Sequence, residues 1–245
     1  MAKGQLTFLR LTNSLLRRLG KTQVTTLTGI STDTDSWTSI AMDMLNEAQT
    51  EVYKEHDWST LITSGTFTTS SRTYNLATSF SDFGRLVGKS GLTDTTNLIQ
   101  LFPANSIADF DAVDPAQTTA GVPYLFYIDY PNLLFNFTPT SVAYRIRYLT
   151  RPAVLSGNSA VSDLPEHCDL VLVLWAYWQL MATREDSVDS GRTAKANYDQ
   201  ALARAIGQDQ RRMDRVYRLD SVFPTRYQSA GPSWPPRYDR SVAGA

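Results

Sequence analysis

The order of periodic patterns along the chain is the feature that most restricts its fold. Apolar residues recur at spacings of three and four over 5–19, 33–56 and 187–218, which predicts three amphipathic helices. A fourth helix is predicted from Pro165, a favoured first-turn residue, to Met181, with apolar residues around nearly its whole circumference. Because this hydrophobic run is shorter than the roughly 20 residues that span a bilayer, we interpret it as a buried core helix.

The middle of the chain, residues 58–152, carries a different pattern. It is rich in Thr, Tyr, Phe, Leu and Val and is interrupted by Gly and Pro, which predicts short strands joined by turns. The predicted strands cover 60–68, 72–76, 84–88, 97–102, 122–129, 132–137 and 142–149, with one helical turn at 106–110. In the last strand, Tyr144, Ile146 and Tyr148 alternate with Arg145 and Arg147. We expect its tyrosine face to be buried and its arginine face to meet water or a protein partner.

These patterns together predict an α+β protein. We expect a helical bundle of about three to four helices with an inserted antiparallel β region and an extended C-terminal tail. The predicted helical core combines residues 1–57 and 153–219, the β-rich insertion covers 58–152, and the C-terminal arm covers 220–245.

The charge is strongly segregated although the net charge is only −1. Residues 1–30 carry +5 with no acid, residues 201–245 carry +4, and residues 31–200 therefore carry −10. Such asymmetry is informative about partners rather than about fold.

No motif with enzyme chemistry accompanies this layout. The segment 84–90 resembles a phosphate-binding loop, but it has three residues between its glycines where that loop needs four. His167, Cys168 and Asp169 are consecutive, so on a helix they point about 100° apart and cannot share one metal ion. We therefore predict no catalytic residue, no cofactor and no metal site, and expect a protein that is not an enzyme.

The C-terminal arm combines arginines and aromatics with prolines that exclude a continuous helix or strand ladder. Such a segment cannot bury its large side chains on itself, so we expect it to become ordered on a protein partner. The candidate contact residues are Arg215, Arg218, Phe223, Arg226, Tyr227, Trp234, Arg237 and Tyr238.

Two other functional classes fit parts of the same pattern. A DNA-binding module would also use basic and aromatic residues, although the acidic body argues against a groove that grips phosphate. A small hydrolase with a site assembled from dispersed acids is the third alternative.

Several short motifs, taken in order, resemble the head-to-tail connector (adaptor) proteins of tailed bacteriophages. These are Trp58-Ser-Thr-Leu61 after a long helix, Gly121-Val-Pro-Tyr124, Phe137-Thr-Pro139, Tyr144-Arg-Ile-Arg-Tyr148 ending at Arg151-Pro152, and Leu164-Pro165 before two long helices. The resemblance covers residues 10–205. It implies a small helical bundle with a β insertion.

The resemblance also implies a role and a set of partners. Members form a homo-oligomeric ring, usually of twelve copies, beneath the portal protein in the neck of the virion, after synthesis in the host cytoplasm. The ring joins the capsid to a downstream tail or nozzle protein, with tail fibres as a further possible partner, and lets DNA pass through its lumen without sequence-specific binding. The C-terminal segment docks on the portal, which assigns the arm residues above to portal contact and leaves Arg145 and Arg147 for a tail component. The resemblance implies no membrane partner, and it leaves a DNA-binding module of phage packaging or replication as the alternative function.

Overall fold

The computed structural model describes residues 4–27, 36–87, 91–116, 118–183 and 188–221. Within these ranges the chain forms six α-helices and nine strands. The helices are α1 (Phe8–Arg18), α2 (Ser36–Glu55), α3 (Leu76–Ser79), α4 (Ala108–Val113), α5 (Asp169–Ala182) and α6 (Val188–Ser221). The strands are β1 (Ile62–Thr69), β2 (Thr73–Asn75), β3 (Phe83–Leu86), β4 (Leu92–Asp94), β5 (Ile99–Gln100), β6 (Phe102–Pro103), β7 (Leu125–Asp129), β8 (Asn132–Phe135) and β9 (Val142–Thr150).

The prediction of a bundle of three to four helices is wrong. The described residues form a mixed α and β structure with six helices and two sheets. The strands enclose a hydrophobic core of their own, and two short helices, α3 and α4, lie within the strand region. The chain divides into a compact body, residues 1–209, and a separate unit, residues 210–245.

The long helices form the first hydrophobic core of the body. Helix α1 begins where the Thr7 hydroxyl accepts a hydrogen bond from the Arg10 amide, and Gly20, with a φ of +68°, follows its end. Its apolar side packs into a cluster with α2, α5 and α6. The fully or almost fully buried members include Leu11, Leu15, Leu45, Val52, Trp58, Leu164, Leu172 and Ala205.

The strands form two sheets. The first has the order β1-β9-β4-β5, with β3 also paired to β9, and the second has the order β2-β8-β7-β6. All pairs are antiparallel except β6 with β7. Strand β9 pairs with three strands, so it is the central element of the first sheet.

Aromatic side chains fill the space between the two sheets. Tyr144 on β9 stacks on Phe135 of β8 with ring centroids 4.8 Å apart, and Phe67 on β1 stacks on Tyr74 of β2 at 4.2 Å. Phe67, Phe135 and Tyr144 belong to a second buried cluster, distinct from the helical one, and the partly buried Tyr74 packs against it. Because aromatic pairs contribute beyond their buried area, they fix how the sheets face each other.

Strand β9 also reaches the helical core. Leu149 near its end packs in the helical cluster, whereas Tyr144, Ile146 and Tyr148 pack between the sheets. One strand therefore contributes to both hydrophobic cores.

Candidate docking surfaces

The outer face of the first sheet carries the two arginines singled out in the sequence. Arg145 and Arg147 are exposed, while the residues that alternate with them are buried. Arg145 lies opposite Thr66 on β1 and Thr93 on β4, and Arg147 lies opposite Ser64. Neither arginine forms an ion pair with any other described residue. The face is a polar surface with two uncompensated positive charges.

The predicted portal-contact residues lie at or beyond the end of the described chain. Arg215 and Arg218 belong to helix α6, but their side chains are outside the described set. The other six candidates lie outside the described residues altogether: Phe223, Arg226, Tyr227, Trp234, Arg237 and Tyr238. Their contacts remain a prediction.

Asp209, the last residue of the compact body, holds helix α6 in place. The Asp209 carboxylate is fully buried and accepts two hydrogen bonds from Ser59, from the amide at 2.9 Å and from the hydroxyl at 2.5 Å. His56 Nε2 lies 3.3 Å from the same carboxylate. Charge-assisted bonds of this kind are about twice as strong as neutral ones.

This arrangement contains a serine, a histidine and an aspartate but lacks the geometry of a nucleophilic triad. In such a triad the base accepts the serine proton and the acid holds the base. Here the Ser59 hydroxyl donates directly to Asp209, and the carboxylate lies between the other two side chains. The cluster anchors a helix. It could not be predicted from sequence, because Asp209 stands among exposed charged residues of α6 such as Arg204 and Arg211.

The segment that resembled a phosphate-binding loop has a structural role in its described part. Gly84 and Arg85 lie on β3, and the Arg85 guanidinium donates to the main-chain oxygens of Tyr53, Lys54 and His56 at 2.9–3.3 Å. It also pairs with Asp57 at 3.0 Å. Arg85 therefore caps the C-terminus of α2, where cations are favoured. A Cβ on Gly84 would clash with the Tyr53 hydroxyl, so only glycine fits there.

An open groove of 590 Å³ is lined by residues of the N-terminal segment, α5 and α6. Within it, Asp169 Oδ2 accepts the amides of Gln5 and Leu6 at 2.9 and 2.8 Å. Burial raises the pKa of Asp169, although these amide bonds oppose the shift. The preceding Cys168 is fully buried, and burial raises its thiol pKa, which disfavours the thiolate that metals bind. No metal-ligand cluster was found among the described residues.

A further surface was not predicted from the sequence. Four large apolar side chains are exposed at the edge formed by β5, β6 and the segment before β7. We call these residues, Leu98, Ile99, Phe102 and Tyr124, the apolar edge. The Phe102 amide donates to the Tyr124 carbonyl at 2.9 Å and joins the two stretches. No local pattern distinguishes these four side chains from the buried apolar residues of the neighbouring strands.

No described helix is long and apolar enough to cross a membrane.

Comparison with known proteins gives the family. None of the curated proteins matches the chain. The family model described as SU10 adaptor protein matches residues 6–223, which confirms the resemblance found in the sequence. Since that match covers most of the chain, the protein belongs to the SU10 adaptor family of phage head-to-tail adaptors.

Proposed function

We propose that this adaptor forms a ring, of about twelve copies, between the portal and the tail in the virion neck. Its role is structural: it joins the capsid to a tail or nozzle protein and leaves a channel for DNA. The observation that carries the proposal is the family match over residues 6–223. Family membership supports a structural connector in a phage particle. The ring and its place under the portal are proposals that go beyond that match.

The C-terminal unit, residues 210–245, which includes the C-terminal arm, is assigned to the portal. The compact body ends at Asp209, and residues 210–245 form a separate unit. This unit contains seven arginines and three aspartates together with five large aromatics. Arginine and aromatic side chains are the commonest anchors of protein interfaces.

The energetics favour a repeated, individually modest contact. Each aromatic side chain of the arm could contribute roughly 1.5–3 kcal/mol on burial before ordering costs are subtracted. Several copies held in one ring would bind the portal together, so avidity raises the effective affinity without new contacts.

The charge distribution suits a DNA channel. Residues 31–200 carry −10, and an acidic lumen would repel the phosphate backbone instead of binding it. Lysines and arginines lining the channel would hold DNA through counterion release and slow its passage. The basic ends of the chain are therefore assigned to protein interfaces.

Deletion of the C-terminal arm tests the portal contact. A variant ending at residue 219 keeps the whole body, so we expect it to fold but not to co-sediment with rings of the cognate portal protein. A second variant, F223S/Y227S/W234S/Y238S, keeps the length and charge of the arm and should also lose attachment, which would assign the contact to the aromatic side chains. Co-sedimentation of the truncated protein at normal stoichiometry would exclude the arm from the contact.

The outer face of the first sheet is assigned to a tail component. Because Arg145 and Arg147 are exposed and pair with no described acid, R145E/R147E should leave the fold and the ring intact. Tail attachment, measured as the fraction of complete virions in a complementation assay, should fall. An unchanged fraction would remove this face from the proposal.

A further inference from the structure

Strand β1 forms an edge of the first sheet that no other described strand covers. It pairs with β9 along its whole length, Ile62–Thr69, and has no described strand on its other side. The pairing runs without a register shift, so the free edge is continuous over about 26 Å.

The main-chain bonds of β9 show which groups of β1 face this free edge. The Arg147 amide donates to the Gly91 carbonyl at 2.6 Å, and the Arg147 carbonyl accepts the Val87 amide at 3.2 Å. Ala143 bonds in the same way to the segment that follows β4, through both its carbonyl and its amide. At these two positions the main chain of β9 is therefore directed away from β1.

The opposite residues on β1 must then face outward. In an antiparallel pair, two residues directly opposite each other exchange both main-chain bonds or neither. Ser64 lies opposite Arg147, and Thr68 lies opposite Ala143, so neither bonds to β9 through its main chain. Every second residue of β1 shares this orientation, and the main chain of these residues forms no hydrogen bond with any other described residue. We call these four residues the open edge: Ile62, Ser64, Thr66 and Thr68.

The open edge lacks the features that protect most edge strands from pairing. Natural edge strands carry proline, lysine or another charge, contain a bulge, or are covered by another element. Strand β1 has the sequence ITSGTFTT, with no charge, no proline and an unbroken register. Threonine also favours strand pairing. An extended segment that added to this strand would bond to main-chain groups that are otherwise without a protein partner.

The neighbouring arginines determine the chemistry of the segment that fits. Arg145 and Arg147 lie opposite the exposed Thr66 and Ser64, and opposed residues project from the same face of a sheet. Asp94, the only acid in the strands of the first sheet, is fully buried, so these strands offer no exposed carboxylate to offset the arginines.

The geometry allows the arginines to reach an added strand. That strand would lie two strand spacings from β9, at about 9.5 Å. The side chains of Ser64 and Thr66, which lie between, are small, so the long arginine side chains can extend over them. Carboxylates at alternate positions of the added strand would pair with the two guanidinium groups.

A second copy of the chain does not supply such a strand from its described residues. The other strands with a free side, β2, β3, β5 and β6, have only two to four residues each. Two β1 edges paired with each other would make an isologous contact, which joins copies in pairs and does not close a ring. That contact would also bring two arginine pairs onto the same face of one sheet.

We propose that an extended segment of the tail component, with carboxylates at alternate positions, adds as a strand to the open edge of β1. This inference rests on the proposed tail contact of Arg145 and Arg147 and gives that contact a binding mode. Main-chain hydrogen bonds along β1 provide affinity, and the two arginines select the side chains of the partner.

Hydrogen exchange of the unmodified chain tests the inference. Exchange is compared in the free protein, in the protein bound to portal rings, and in complete virions, and is read residue by residue by mass spectrometry after quenching. The open-edge amides should exchange at least about tenfold more slowly in complete virions than in the other two states. The amides of Thr63, Gly65 and Phe67, which bond to β9 by the same alternation, are the internal control and should be protected in all three states.

A single substitution provides a second measurement. Thr66→Pro removes an outward N–H and leaves the bonds to β9 in place, which is the position where an edge strand tolerates proline. The fraction of complete virions in the complementation assay should fall by about tenfold or more, with unchanged circular dichroism and portal binding. The matched control Thr66→Val keeps the amide and the side-chain shape and should leave attachment unchanged. A normal fraction of complete virions with Thr66→Pro would overturn strand addition.

The outcomes separate this inference from the proposed tail contact. If R145E/R147E abolishes tail attachment but the open-edge amides still exchange fast in complete wild-type virions, strand addition is overturned and the arginine face remains the tail contact. Slow exchange of these amides already in the portal-bound state would place the edge between copies of the chain and would also overturn the inference. Fast exchange in virions together with unchanged attachment of R145E/R147E would overturn both.

Discussion

Replacement of Asp209 by alanine should destabilise the body more than any other change of one charged residue on α6. The Asp209 carboxylate is fully buried and accepts both the amide and the hydroxyl of Ser59. Alanine removes the acceptor and leaves two donors buried without a partner. Ser59 is itself a buried residue, so water cannot easily replace the lost bonds.

The magnitude follows from those two bonds. A hydrogen bond to a charged group contributes roughly 1.5–3 kcal/mol, so two contribute about 3–6 kcal/mol. Removal of a buried carboxylate returns part of this through relief of desolvation, which leaves a loss of about 3 kcal/mol. With an m-value of about 2 kcal/mol/M in urea, the midpoint of unfolding should fall by about 1.5 M.

The assay is urea unfolding followed by tryptophan fluorescence at two protein concentrations, because assembly would shift the apparent stability. Asp209→Asn keeps one oxygen that can accept from Ser59 and should lie between wild type and Asp209→Ala. Asp189→Asn is the matched control on the same helix: its side chain is fully exposed, so no change is expected. A midpoint for Asp209→Ala within about 0.3 M of wild type would refute the anchoring role.

Two further changes follow from the same structure. Gly84→Ala places a methyl group against the Tyr53 hydroxyl and 2.8 Å from the Leu149 oxygen, so thermal unfolding should show a loss of about 1–3 kcal/mol, and an unchanged Tm would contradict this. Burial raises the pKa of Asp169 above its ordinary 3.8, so its contribution to stability is complete below 3.8 and is lost as the pH rises through the folded-state pKa. Asp169→Asn should therefore become more stable relative to wild type as the pH rises from about 3.5 to about 7. Parallel plots of unfolding free energy against pH for the two proteins would argue against a buried charge at this position.

The elements with long periodic patterns were predictable from sequence. Helix α2 was predicted over 33–56 and is described from Ser36 to Glu55. In β9 the alternation placed Tyr144 inside and Arg145 outside, and the exposures agree. These predictions succeed because burial of one face requires a period of 3.6 or 2 regardless of the neighbouring elements.

The arrangement of the strands was not predictable in the same way. Strand β4 was missed because its three residues, Leu92–Asp94, are defined by pairing with β9 some fifty positions later. Strand β6 is two residues long and pairs in parallel with β7. A local pattern gives the type of an element, but only nonlocal pairing shows that two sheets enclose their own core, which is why the helical-bundle expectation failed.

The two polar anchors, Asp209 and Arg85, could not be predicted from sequence for a related reason. Asp209 lies in a helix with many exposed charges, and nothing in its neighbourhood distinguishes it from them. Its burial depends on the position of Ser59, 150 residues earlier in the chain. Arg85 stands in the segment that resembles a phosphate-binding loop, and its role, the capping of α2, depends on a contact across 29 positions.

The two hydrophobic cores determine how force can pass through the body. Leu149 packs in the helical core, and Ile146, three residues before it on the same strand, packs between the sheets. Arg85 adds a second connection, since it lies on a strand paired with β9 and caps helix α2. Close-packed cores transmit strain instead of absorbing it. A force applied to the arginine face of β9 should therefore be transmitted to the helices without bending at a hinge between the two cores. The proposed connector role requires this kind of stiffness.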